Sequence, residues 1–140
     1  MLRDRPDGVL HAHVEDAANL AAHGRFDAAV GFECLHDLPH PQAVLTAMNE
    51  ATGDDGIVVI MDEAVGDEFT PDTEGLDRVM YGFSLFSCRP DGLFHRPSAA
   101  TGTVMRPSTL RRYAAEAGFA GVDVLEDGFG FWRFYELVRA

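Results

Sequence analysis

The chain has no lysine, only two cysteines, and no unbroken apolar run longer than Ile57 to Met61. Each shortage excludes something. All 11 basic residues are arginine, against 23 acidic ones, for a formal charge of -12. Such a surplus opposes non-specific binding to nucleic acid, which depends on cations neutralising phosphates, and it disfavours anionic lipid for the same reason. Its plainest use is solubility. Two cysteines, Cys34 and Cys88, cannot build a disulfide framework; their apolar neighbours suggest buried thiols in a reducing cytoplasm. A five-residue apolar run falls far short of the roughly 20 residues that span a bilayer. The opening residues lack the basic and apolar pattern of a secretory signal.

What remains is a chain of 140 residues, 46% hydrophobic and 24% charged, within the range of one ordinary domain of roughly 150 residues. No internal repeat is visible. Val9 to Val14 alternates apolar and polar residues and predicts a strand ending at Glu15-Asp16. Ala17 to Ala22 favours a short helical turn closed by His23-Gly24. Phe26 to Phe32 is nearly all apolar, as expected of a strand covered on both faces. Pro41 suits the first position of a helix, where its missing N–H costs nothing. Val44, Leu45, Met48 and Ala51 give that helix its apolar stripe, and Gly53 ends it. Ile57 to Met61 is the strongest strand signal and stops at Asp62-Glu63. An acidic loop runs to about Asp72. Leu76, Val79, Met80, Phe83 and Phe86 recur at helical spacing, and Pro90 to Gly102 reads as a long loop. Ser108 can cap a helix with the stripe Leu110, Tyr113, Ala114 and Ala117, stopped by Gly118. Val122 to Leu125 and Phe131 to Val138 predict an antiparallel hairpin turning at Glu126-Asp127-Gly128. Strands alternating with helices imply an α/β fold, mostly parallel, with an antiparallel end.

Ligands bind such sheets beyond the carboxyl ends of the strands. That rule singles out Glu15, Asp16 and Ala17 after the first strand. It singles out Glu33, Cys34, Leu35, His36 and Asp37 after the second, and Asp62 and Glu63 after the third. Acids at all three exits suit a cationic or amine-bearing ligand and sugar hydroxyls, although solvated loops are routinely polar. His36 is the best candidate for proton chemistry, because imidazole titrates near neutral pH. A metal site from His36, Asp37 and His40 is an alternative, but prolines stand on both sides of His40 and a closed site needs three or four convergent ligands. His11 and His13 share one strand face and make a weaker second metal reading; a solvated strand end explains them as well. No nucleophile elbow, Walker loop, CxxC or HExxH motif is present.

FDAAVGFECLHDLPHPQAVLTAMNEATGDDGIVVIMDE (Phe26 to Glu63) resembles the central part of a class I S-adenosylmethionine-dependent methyltransferase. In that family an apolar fourth strand beginning Phe-Asp leads to Leu-His-Asp or Leu-His-His, then a helix, a Gly-bearing turn and an apolar fifth strand. The helix ending Ala-Gly-Phe (Ser108 to Phe119) and the closing FWRFYEL (Phe131 to Leu137) continue the resemblance. SAATGTVMRPSTLRRYAAEAGF (Ser98 to Phe119) is similar to a bacterial subgroup of small-molecule methyltransferases linked to a winged-helix segment. The resemblance implies an incomplete Rossmann-like sheet, mostly parallel with a C-terminal antiparallel hairpin strand. It implies S-adenosylmethionine as cofactor and methyl transfer to the oxygen or nitrogen of a small-molecule acceptor. By position it implies Asp16 and Ala17 at the adenine, and Glu33 and Cys34, in the stretch Glu33 to His36, beside the sulfonium. It implies His36 as the base that deprotonates the acceptor, oriented by Glu63. Tyr81, Phe83 and Phe86 fall where the family inserts a substrate lid; core packing or a dimer contact is the plainer reading of the same stripe.

The family's first two strands, first helix and Gly-rich loop have no counterpart, so residues 1–140 are expected to be one partial methyltransferase domain. The alternative is a truncated non-catalytic remnant, or an association module that needs another chain. The family's fourth strand lies beside its first, so Phe26 to Phe32 is expected to be an exposed edge that invites homodimerisation or other pairing. Weak stability or aggregation would follow.

Overall fold

The computed structural model describes residues 10–125 and 130–139. The expected hairpin turn at Glu126-Asp127-Gly128 lies outside them, as does Val9. Four strands form one sheet in the order β1-β2-β4-β3: β1 is Ala28–Phe32, β2 Ile57–Glu63, β3 Gly121–Val124 and β4 Trp132–Val138. β1 and β2 run parallel, with Val30 opposite Val59, while β4 is antiparallel to both β2 and β3. The mixed α/β architecture and the hairpin are those the sequence predicts. β1 occupies one end of the sheet.

Helix α1, Pro41–Thr52, joins β1 to β2 and begins at the proline. Val44, Leu45, Met48 and Ala51 are buried on its inner stripe, where they cover one face of the sheet. Gly31 on β1 lies under this crossing: a Cβ there would meet Ile60 Cδ1 at 3.2 Å and Met48 Cε at 3.5 Å, so the close approach favours a residue without a side chain. Helix α4, Pro107–Glu116, lies on the same core through Leu110, Tyr113 and Ala114. Gly118 (φ 88°) stops it, and the Phe119 N–H returns to the Ala114 carbonyl at 3.0 Å. Pro107, rather than Ser108, takes the first turn, and Arg106 stands at the cap. The proline's fixed φ and missing donor serve the helix start as well as a hydroxyl would.

Four expectations are corrected. Residues 10–14 form no strand; Leu10 and Val14 are fully exposed, because no neighbouring strand among the described residues takes up the extended backbone's hydrogen bonds. β1 is covered on one face only: Ala29 is buried, but Val30 and Phe32 are about half exposed. Helix persists into the expected loop. After α2, Gly75–Phe83, comes a π-helical turn, Ser84–Cys88, and then α3, Arg89–Phe94. The wider turn relieves the clash between a proline ring and the preceding carbonyls, so Pro90 sits inside helix. Finally, Cys34 is exposed and Cys88 half-buried, because both lie where the chain leaves or skirts the core rather than within it.

A short 3-10 helix, Ala17–His23, lies against the core through Ala18 and Leu20. Asp16 caps it, accepting from the Ala18 N–H at 2.9 Å. Among the described residues no helix is long and apolar enough to cross a membrane.

Candidate active site

β1 and β2 are parallel and in register, so their carboxyl ends open side by side. The Glu33 N–H extends the ladder to the Met61 carbonyl at 3.0 Å. Glu33 then adopts φ 52°, a left-handed conformation uncommon outside glycine and worth noting near a site. This bend turns the chain into a 3-10 helix at Leu35–Asp37, whose Leu35 and His36 are buried.

His36 meets the end of β2. Its Nδ1 lies 2.7 Å from Asp62 Oδ1 and 3.5 Å from Glu63 Oε2, and its Nε2 lies 3.4 Å from Asp37 Oδ1. His36, Asp62 and Glu63 are 4%, 1% and 5% exposed. The Glu63 N–H also donates to Asp62 Oδ1 at 3.1 Å. The carboxylate bonded to the imidazole is therefore Asp62; Glu63, the residue suggested by family resemblance, stands behind it. The signal for Asp62 was in the strand's period of two. Val58, Ile60 and Asp62 share one face, and the first two are wholly buried, so Asp62 faces the core that contains His36.

The electrostatics follow from burying one imidazole among three acids. Burial by itself would lower the His36 pKa, but the Asp62 hydrogen bond and the charges of Asp62, Glu63 and Asp37 outweigh it and raise it to about 9. Burial and then the bond and charge of Asp62 raise Glu63 to about 9 as well. Burial and Asp62 also raise Glu33. At neutral pH the cluster thus holds a proton on His36 and another on Glu63, with Asp62 as their shared acceptor. Among the described residues, Glu33 Oε1 and Asp62 Oδ2 are buried without a hydrogen-bond partner. Unpaired carboxylate oxygens of this kind fit a positively charged or hydrogen-bond-donating ligand.

The remaining candidates are dispersed. Asp16 and Ala17 line a cavity of about 690 Å³ with Leu20, Phe26, Val30 and Met48. Glu33 and Cys34 are outside that lining, at the neighbouring strand exit. Tyr81 receives a hydrogen bond from Arg106 Nη2 at 2.8 Å, and Arg106 also donates to the Glu68 carbonyl at 2.7 Å. Phe83 and Phe86 are 54% and 83% exposed. His40 is exposed at the start of α1, and the donor atoms that approach His36 and Asp37 include Cys88 instead.

A methyltransferase-domain family model matches residues 4–124. The chain belongs to the class I S-adenosylmethionine-dependent methyltransferases. Solved structures with the same fold include an O-methyltransferase family protein from Burkholderia thailandensis, 20% identical, with a TM-score of 0.56 over 89% of this chain and 33% of that one. TnmH is 21% identical with a TM-score of 0.61, covering 83% of this chain and 31% of its own. The O-methyltransferase NcsB1 of neocarzinostatin biosynthesis, solved with S-adenosyl-L-homocysteine and 1,4-dihydroxy-2-naphthoic acid, is 21% identical with a TM-score of 0.53, covering 81% and 29%. This chain therefore spans about a third of the length of these structures. No curated protein matches it.

Proposed function

We propose that this chain carries the acceptor-side rim of a site that methylates the oxygen or nitrogen of a small molecule. The buried His36–Asp62 hydrogen bond at the paired strand exits is the observation that carries the reading. S-adenosylmethionine supplies the methyl group when bound. Asp16 and Ala17 would hold its adenine in the cavity they line, and Glu33 and Cys34 would flank its sulfonium. The apolar cavity wall and the unpaired acidic oxygens fit those two ends of the cofactor.

His36 is the general base in this reading. It would take the proton of the acceptor oxygen or nitrogen as that atom is methylated. Asp62 fixes the imidazole and balances the imidazolium that forms. Only neutral His36 can accept the proton, so its working fraction grows as pH approaches the raised pKa of about 9. Glu63, protonated, supports Asp62 from behind. Tyr81, Phe83 and Phe86 would face the acceptor when a lid closes, with Arg106 holding Tyr81 meanwhile.

A second reading is favoured by a different observation. The sheet face bearing Val30 and Phe32 on the edge strand β1, and Ile57 on β2, is about half exposed. In this reading the chain acts beside a second chain, a copy of itself included, that pairs with β1 and covers that face. Titration calorimetry of the chain with S-adenosylmethionine and S-adenosylhomocysteine separates the readings. Micromolar binding that weakens in Asp16→Ala supports a cofactor site within this chain. No binding at millimolar cofactor removes it and leaves the association reading. A hydroxylated aromatic acid is the first acceptor to assay, after the ligand held by NcsB1.

A further inference from the structure

Three of the chain's six histidines, His11, His13 and His23, line one cavity together with Glu15. We propose that His13, Glu15 and His23 bind a divalent transition cation of the zinc type. Glu15 Oε1 lies 2.5 Å from His23 Nε2 and 3.7 Å from His13 Nδ1. The two imidazole rings stand 4.1 Å apart between centroids, and one ligand atom from each of the three residues lies within 4.8 Å of the others. Zinc–nitrogen and zinc–oxygen bonds of about 2.0–2.2 Å at tetrahedral angles set donor atoms roughly 3.4 Å apart. Small rotations of exposed side chains reach that spacing.

The donor chemistry selects the metal. Two imidazoles and one carboxylate suit zinc, cobalt or copper, whereas magnesium takes oxygen ligands and keeps its waters. Three protein donors leave the fourth position to water. Asp16, the adjacent acid, is engaged as a helix cap and is not counted as a ligand. The chain's charge of -12 favours cation capture. His36, Asp62 and Glu63 also converge, but there Nδ1 is already bonded to Asp62 in a buried cluster. A metal at the first site joins the irregular stretch before Glu15 to the 3-10 helix Ala17–His23, two segments that otherwise meet through side-chain hydrogen bonding and the His13–His23 ring contact. The metal ligands share their cavity with Asp16 and Ala17, but none of the three takes part in the proposed methyl transfer.

The test uses untagged protein titrated with cobalt(II), followed by its visible absorption, and with zinc by calorimetry. One equivalent is expected to bind, with tetrahedral cobalt bands and a higher thermal midpoint in zinc. Because all three side chains are substantially exposed, H13A/H23A and E15Q fold normally by circular dichroism, and each is expected to weaken binding at least about tenfold. C88A is expected to bind as the unsubstituted chain does, since Cys88 belongs to the His36 side. Unchanged affinity in H13A/H23A, or no binding by the unsubstituted chain, overturns the proposal.

Discussion

Raising the pH from 6 to 9.5 should destabilise this fold, and His36 sets the size of the effect. The imidazole titrates at 6.5 when free and at about 9 in the folded chain. The native state therefore holds a proton that the unfolded state has released throughout the interval between those values. Stability falls with pH wherever the native state binds more protons. The His36 contribution is complete below 6.5 and is lost as pH climbs through 9. Each pKa unit corresponds to about 1.4 kcal/mol, so the loss is on the order of 3 kcal/mol. Glu63 acts in the same direction, because its folded pKa is raised from 4.5 to about 9. The two protonations draw on the same Asp62 charge, so their contributions do not add. For a small domain with total stability of about 5–15 kcal/mol, the change is large. Urea midpoints at pH 6, 7.5 and 9.5 would measure it, with His36→Gln as the control that removes the titrating group. Midpoints that stay level or rise across this range would refute the account of the cluster; the decline that remains in the glutamine variant is the share of Glu63.

Three more outcomes are expected. Asp62→Asn removes the bond and the charge that do most to raise His36, leaving burial opposed only by Glu63 and Asp37, so the pKa read from the His36 ring resonances by NMR should move downward; an unchanged or higher value contradicts the assignment of Asp62 as partner. Gly118→Ala forces a side chain into φ 88° and should cost about 1–2 kcal/mol in chemical denaturation. Val30→Lys places a charge on the exposed face of the edge strand: the unsubstituted chain should elute above 15.3 kDa in size-exclusion chromatography and the variant as a monomer, and a monomer in both cases would speak against association through β1.

The elements most readable from sequence are those whose signal is local. Pro41 and Gly53 punctuate α1, and its stripe lies where the 3.6-residue period puts it. Gly118 and Phe119 end α4 by the backbone conformation that only a glycine takes easily. What escaped detection depends on partners or on unusual backbone. Residues 10–14 alternate like a strand, yet alternation makes a strand only where a neighbour accepts its hydrogen bonds. Pro90 breaks an ordinary helix but is tolerated after a π turn, which has no strong sequence signature. At the site, His36 was identifiable from its place after β1. Asp62 stands among the acids at the strand exits, but its pairing with His36 is hidden while the acidic pair reads as the end of the strand; β2 runs through both residues and keeps its alternation as far as Asp62.

The order β1-β2-β4-β3 has a consequence for how the chain folds during synthesis. β2 holds the buried acids Asp62 and Glu63 but gains its second neighbour only when residues 132–138 have emerged, after α2, α3 and α4 have left the ribosome. Arg139, just beyond that strand, then reaches back to Asn49 at 2.9 Å and to Thr52 and Gly56, fastening the late strand to the end of α1. The acidic pocket is thus finished last, and its long-range pairing implies slow folding. A fusion or truncation that disturbs the stretch after Val138 would disrupt the site from the far side of the sheet.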